Sequence, residues 1–231
     1  MEAHQRLAAE AAAARESGGL DVMAFGDSIM EAFRGQSLGM PAGEAYAGNR
    51  AAWDKAMEGR KAGVFALAGD QAVHLLWRLA EGEGPEGLNP KVITLMICTN
   101  DLAHLTHVYP GSDARVGHII SLAVQQVVAE LRLQAPQATL VVFALLPLQP
   151  MMLGSAQRQF DGVLAAANRE IWAFVEGQAS RDLRFKDCGP RFLTTDGSVN
   201  FELMPDGVHP AGPGGEALLQ CMLEEVDPLL G

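Results

Sequence analysis

The sequence predicts an α/β fold: a parallel sheet of about five strands covered by helices on both faces. Short apolar runs alternate with amphipathic stretches along the whole chain, with no block of consecutive strands and no repeat. Two of the runs, 91–97 (KVITLMI) and 139–146 (TLVVFALL), are almost wholly apolar, as strands buried on both faces require. A length of 231 residues suits one domain spanning 1–231.

Taken in order, residues 3–16 are alanine-rich and stop at Ser17-Gly18-Gly19, which predicts an N-terminal helical extension over 1–19. Residues 20–25 form the first strand, broken at Gly26-Asp27-Ser28 and followed by a short helix with Ile29, Met30 and Phe33 on one side. Glycine-rich and aperiodic, residues 35–48 read as a long surface loop. A short helix at 50–57 and a second strand at 63–67 follow. Asp70 is placed to cap a helix whose Val73, Leu76, Trp77 and Ala80 recur at amphipathic spacing. Beyond an acidic turn at 81–89 and the third strand, a helix at 112–134 carries the stripe Val116, Ile120, Ala123, Val127 and Leu131. The fourth strand, a helix at 155–178, a weaker fifth strand at 183–187 and a last helix at 214–226 complete the pattern.

Hydrophobic residues make up 48% and charged residues 19%, as in a soluble globular protein, and no apolar run approaches the ~18 residues of a membrane span. A net charge of -11 disfavours nucleic acid and anionic membranes as partners and suits a neutral or cationic small molecule. Cys98, Cys188 and Cys221 lie far apart, without C-x-x-C spacing, and read as reduced, buried thiols. With an N-terminus whose charges interrupt any signal-like apolar core, they point to a cytoplasmic protein.

In a parallel sheet the binding crevice lies beyond the carboxyl ends of the strands. Ser28 follows strand one there, Gly69 strand two and Asn100 strand three, and the Asp206/His209 pair precedes the last helix. A serine hydroxyl becomes a nucleophile when a histidine takes its proton, and a carboxylate holds that histidine in the required tautomer. Asp206-Gly207-Val208-His209 puts such a carboxylate and imidazole side by side. The oxyanion of the tetrahedral intermediate needs donors, for which the Ser28 N–H at a helix N-terminus, the Gly69 N–H and the Asn100 amide are the candidates. Each motif alone is commonplace turn chemistry; their order at successive strand ends points to a serine esterase.

Other signals have plainer readings. The stretch 82–87 matches G-x-G-x-x-G, but it follows a helix, precedes a strand and carries two glutamates, the reverse of a dinucleotide site. His104 and His107 share a loop after Asp101 with no third ligand, so no metal is expected. Cys98 ends a buried strand without a base and reads as packing. Asp27 and Asp101 read as residues bracing the turns, and His74 as a helix residue near Trp77.

These residues resemble the SGNH (GDSL-type) hydrolases. Gly26-Asp27-Ser28 is similar to the first family block, Gly69 to the second, Thr99-Asn100-Asp101 to the third and Asp206-Gly207-Val208-His209 to the last. Within the family, Gly69-Asp70, the segment 74–79 (HLLWRL), 88–93 (LNPKVI), 144–147 (ALLP) and Pro210 resemble the platelet-activating factor acetylhydrolases. The resemblance implies a three-layer α/β/α flavodoxin-like fold, hydrolysis of short acyl (acetyl) esters without metal or cofactor, and a homodimer. A carbohydrate O-acetylesterase and a catalytically silent binding protein on the same fold are the alternatives. Where the family has Gly-x-Asn this chain has Cys98-Thr99-Asn100, and a cysteine at positive φ there would cost about 1–2 kcal/mol.

Overall fold

The computed structural model describes residues 2–151 and 160–231. Five parallel strands form the sheet: β1 (Val22–Gly26), β2 (Ala62–Ala66), β3 (Val92–Met96), β4 (Thr139–Phe143) and β5 (Leu183–Lys186), in the order β2-β1-β3-β4-β5. This is the flavodoxin-like order, with its switch point between β1 and β3. Alternation along the strands feeds two apolar layers. Met23 and Phe25 of β1 and Ile93 and Leu95 of β3 face one cluster; Val22, Ala24, Val92 and Met96 face the other.

The first layer is covered by α1 (Glu2–Glu16), α4 (Ala72–Arg78), α5 (Thr99–Val108), α6 (Asp113–Gln134) and α7 (Asp161–Gly177). Packed on the second are α2 (Ser28–Glu31), α3 (Ala47–Ala56) and α8 (Pro213–Leu230). The start expected for α7 at Ser155 lies outside the described residues. No described helix is long and apolar enough to cross a membrane.

Four expectations are corrected. The surface loop at 35–48 is organised: residues 36–37 pair antiparallel with 40–41, a 3-10 turn spans Gly43–Tyr46, and α3 already starts at Ala47. Glu31 is the cause, since its buried carboxylate accepts the Leu38 and Gly39 N–H groups. Secondly, α4 is turned from its expected phase. It buries Ala72, Leu75 and Arg78, leaving Val73 61% and Trp77 46% exposed, and its cap is Gln71. The apolar stripe misleads because a charged residue occupies the inner face, where two carboxylates neutralise it. Thirdly, His104 and His107 lie on α5, not in a loop.

Fourthly, Cys188 and Cys221 form a disulfide, leaving Cys98 as the free thiol. Thirty-three positions apart in sequence, they are brought to a Cα separation of 6.0 Å because α8 runs beside the end of β5, where Glu224 pairs with Lys186. A disulfide is maintained in oxidising compartments, so cysteine usage no longer supports a cytoplasmic location. The helical extension is also woven into the body: Leu7 and Ala11 of α1 are buried in the cluster that holds Phe25 and Phe65.

Candidate active site

Strand β1 ends at Gly26, and the chain turns through Asp27 into the single helical turn of α2. Asp27 is fully buried. One carboxylate oxygen accepts the Ile29 N–H (3.1 Å) and the other the Thr99 N–H (3.3 Å), which ties the exit of β1 to that of β3. Burial pushes its pKa up to about 6, against the opposing pull of those N–H donors. One helical turn carries little macrodipole, so less electrostatic help reaches Ser28 than a full helix would give.

The segment before α8 carries the expected base, His209. Asp206 Oδ1 accepts the N–H groups of Val208 (2.9 Å) and His209 (2.8 Å), folding the turn around its own carboxylate. Oδ2 then faces His209 Nδ1 at 2.6 Å, and His209 Nε2 lies 2.8 Å from Ser28 Oγ across 181 positions of sequence. Partial burial raises the Asp206 pKa, but the side-chain and backbone bonds from His209 outweigh it and hold the group at about 2. It stays ionised wherever an imidazole titrates, and the stability its bonds contribute is present above about pH 4 and lost as pH falls towards 2.

Asn49 of α3, 1% exposed, donates to the Pro210 carbonyl at 2.9 Å; the Gln149 and Met151 N–H groups bond to the carbonyls of Gly207 and Asp206. The Tyr46 ring stands edge-on to His209, centroids 6.4 Å apart.

The expected oxyanion donors are coupled to each other. Asn100 Nδ2 donates to the Asp70 carbonyl at 2.8 Å, which leaves its second N–H available. Gly69 takes φ +85°, a conformation glycine adopts without strain, and a Cβ there would meet open space. Either side of it the turn is pinned: Ala68 N–H donates to Glu31 (2.8 Å), Asp70 N–H to the Leu67 carbonyl (3.2 Å) and Ala72 N–H to Asp101 (3.1 Å). Among the described residues the Gly69 N–H has no hydrogen-bond partner. Cys98 has φ +90° and is fully buried, so the departure from Gly-x-Asn is accommodated at a cost of about 1–2 kcal/mol. Burial, followed by the nearby Asp101 and Asp27 charges, pushes its thiol pKa well up, which leaves it protonated and unreactive.

Asp27 and Asp101 therefore brace the turns as expected, and His74 serves α4 by accepting the Gln71 N–H (3.0 Å). The 82–87 stretch is a turn whose carbonyls at Gly82, Gly84 and Glu86 accept from Arg15. Sequence reasoning assigned no role to Glu31, Asn49 or Arg78, polar residues that the fold buries. Glu31 stands three positions after Ser28 and Arg78 inside the 74–79 segment, whereas Asn49 is near no motif.

Comparison with known proteins bears on the family and the fold. The chain is 30% identical over 147 residues to the platelet-activating factor acetylhydrolase IB subunit alpha1 of Homo sapiens, covering 63% of this chain and 54% of that protein. It thus spans about half the length of the curated relatives it matches. The alpha2 subunit of Gallus gallus is 25% identical over 168 residues, 72% of this chain and 64% of its own. Among solved structures, a GDSL-like lipase from Bacteroides thetaiotaomicron superposes with TM-score 0.66 at 17% identity, covering 97% of both chains. A mutant of a Geobacillus acetyl-xylooligosaccharide esterase superposes with TM-score 0.59 at 17% identity, over 90% of this chain and 94% of its own. The GDSL-like lipase/acylhydrolase model matches residues 24–217, from β1 into α8, and the chain belongs to that family of carboxylic ester hydrolases.

Proposed function

We propose that this protein is a serine-dependent esterase that removes short acyl groups, acetyl foremost, from a small-molecule ester. The observation that carries the reading is the continuous chain Ser28 Oγ, His209, Asp206, with steps of 2.8 and 2.6 Å. His209 Nε2 takes the hydroxyl proton as Oγ bonds to the acyl carbon, and Asp206 stabilises the imidazolium. The oxyanion is met by the Ser28 and Gly69 N–H groups and the Asn100 amide. His209 returns the proton to the departing alcohol, and water, deprotonated by His209 in turn, releases the acid from Ser28. Residues 1–231 act as one domain, α1 included.

Acetyl preference is supported by the acetylhydrolase names of the relatives at 25–30% identity. A carbohydrate O-acetylesterase is the second reading. It is favoured by a cleft of about 280 Å³ beside Gly69, lined in part by the half-exposed Trp77, an aromatic side chain of the kind sugars stack on.

A fluorophosphonate probe tests the reaction class: labelling that vanishes in Ser28→Ala supports an esterase. Folded protein that takes no label supports a silent binding protein. An acyl-length series on p-nitrophenyl esters tests the acetyl preference, and acetylated xylo-oligosaccharide against acetylated phospholipid separates the two substrate classes.

A further inference from the structure

Beneath the Gly69–Asp70 turn lies a buried ion cluster outside the four family blocks. Arg78, 2% exposed, donates from Nε to Asp70 Oδ2 at 2.7 Å and from Nη1 to Glu83, which is fully buried. Its guanidinium also reaches the Phe65 carbonyl in β2 (3.5 Å) and the Gly26 carbonyl at the end of β1 (3.4 Å), two positions before Ser28. Glu83 is held in turn from α1, where His4 Nδ1 lies 2.7 Å from its Oε1 and the His4 ring packs on Trp77 at 4.5 Å. Asp70 completes the connection, because its carbonyl is the group that accepts the Asn100 amide.

A guanidinium offers five N–H groups in a rigid plane, a geometry that a lysine cannot reproduce. A buried ion cluster of this kind contributes little net stability compared with an apolar replacement, so its distinctive effect is to fix directions. Here the groups it fixes are the ends of the two strands that carry Ser28 and Gly69. We propose that Arg78 is a positioning residue for ester hydrolysis: through Asp70 it sets the Gly69 N–H and the Asn100 amide in register with Ser28, and α1 braces it through His4 and Glu83. This rests on the reading of Gly69 and Asn100 as oxyanion donors.

The test compares Asp70→Ala, Asp70→Asn and Arg78→Lys with Asn100→Ala in the full chain. It reads kcat per fluorophosphonate-titrated serine, KM on p-nitrophenyl acetate, and inhibition by a trifluoromethyl ketone that forms a tetrahedral adduct. Asp70→Ala and Arg78→Lys are expected to lower kcat about 10–100-fold with KM within about three-fold, and to weaken the ketone by a similar factor. Asp70→Asn, whose amide oxygen still accepts from Arg78, restores most of the rate. If Asp70→Ala does not fold, Arg78→Lys supplies the same readings. A residue that merely holds the fold together would lower Tm and the titratable fraction while leaving kcat per titrated serine and ketone affinity unchanged, and that result overturns the proposal. Loss in Asn100→Ala alone also overturns it but leaves the oxyanion reading standing, whereas wild-type rates in every variant remove both.

Discussion

Asp206 holds His209 from three positions away, by a carboxylate that also caps its own turn, whereas Asn100 is held by a carbonyl thirty positions upstream. The proposed base side is a short turn closed largely by Asp206 itself and tied to the body by Asn49, Gln149 and Met151. The oxyanion side is assembled: Gly69 and Asn100 leave different strands, and Glu31, Asp101 and Arg78 pin the turn between them. One side is therefore visible as a single short motif, and the other draws on residues scattered over several stretches of the chain.

Substitutions can break or sharpen this contrast. Striking the local unit has the largest effect: Ser28→Ala should lower kcat/KM on p-nitrophenyl acetate by roughly 10⁵–10⁶-fold, and Asp206→Asn by roughly 10³–10⁴-fold with the fold intact by circular dichroism. Asn100→Ala removes one donor from the assembled side, and kcat should fall about 10²–10³-fold with KM little changed. An equal loss in Asp206→Asn and Asn100→Ala, or a loss expressed in KM, would erase the distinction.

The disulfide asks whether the base unit is as self-contained as its contacts suggest, since Cys188 and Cys221 flank the segment that carries Asp206 and His209. Closing a loop of that length is worth roughly 3–4 kcal/mol in the chain-entropy model. Replacing both cysteines by alanine should lower Tm by about 10 °C while kcat at 25 °C stays within about two-fold. A large fall in kcat would show that the turn relies on the wider scaffold.

Asp27 gives the smallest effect. Its folded pKa of about 6 lies above the ordinary 3.8, so between those values the folded state holds the proton more tightly and stability falls as pH rises. Asp27→Asn should flatten that fall by on the order of 2–3 kcal/mol between pH 4 and pH 7.5, read from urea melts. Identical pH dependence in wild type and variant would remove the assignment.

Legibility in the sequence followed the same divide. The five strands and the order of the site blocks could be read because each is a contiguous run or a short motif. Helix α4 could not be phased, since Arg78 sits where an apolar residue is expected and its neutralising partner Glu83 comes from beyond a kinked turn. The Cys188–Cys221 bond was hidden because an odd cysteine count gives no hint that α8 will run beside the end of β5. Likewise the 35–48 stretch looked unstructured because its order comes from Glu31, a single carboxylate outside it.

The most direct test of the central claim is to quench a reaction with p-nitrophenyl acetate in acid and map the acetyl group by peptide mass spectrometry. Acetylation should appear on Ser28, accumulate in a mutant slow to deacylate, and be absent from Ser28→Ala, which should also lose turnover. Acetyl on another residue, or full turnover by Ser28→Ala, would contradict the Ser28–His209–Asp206 assignment.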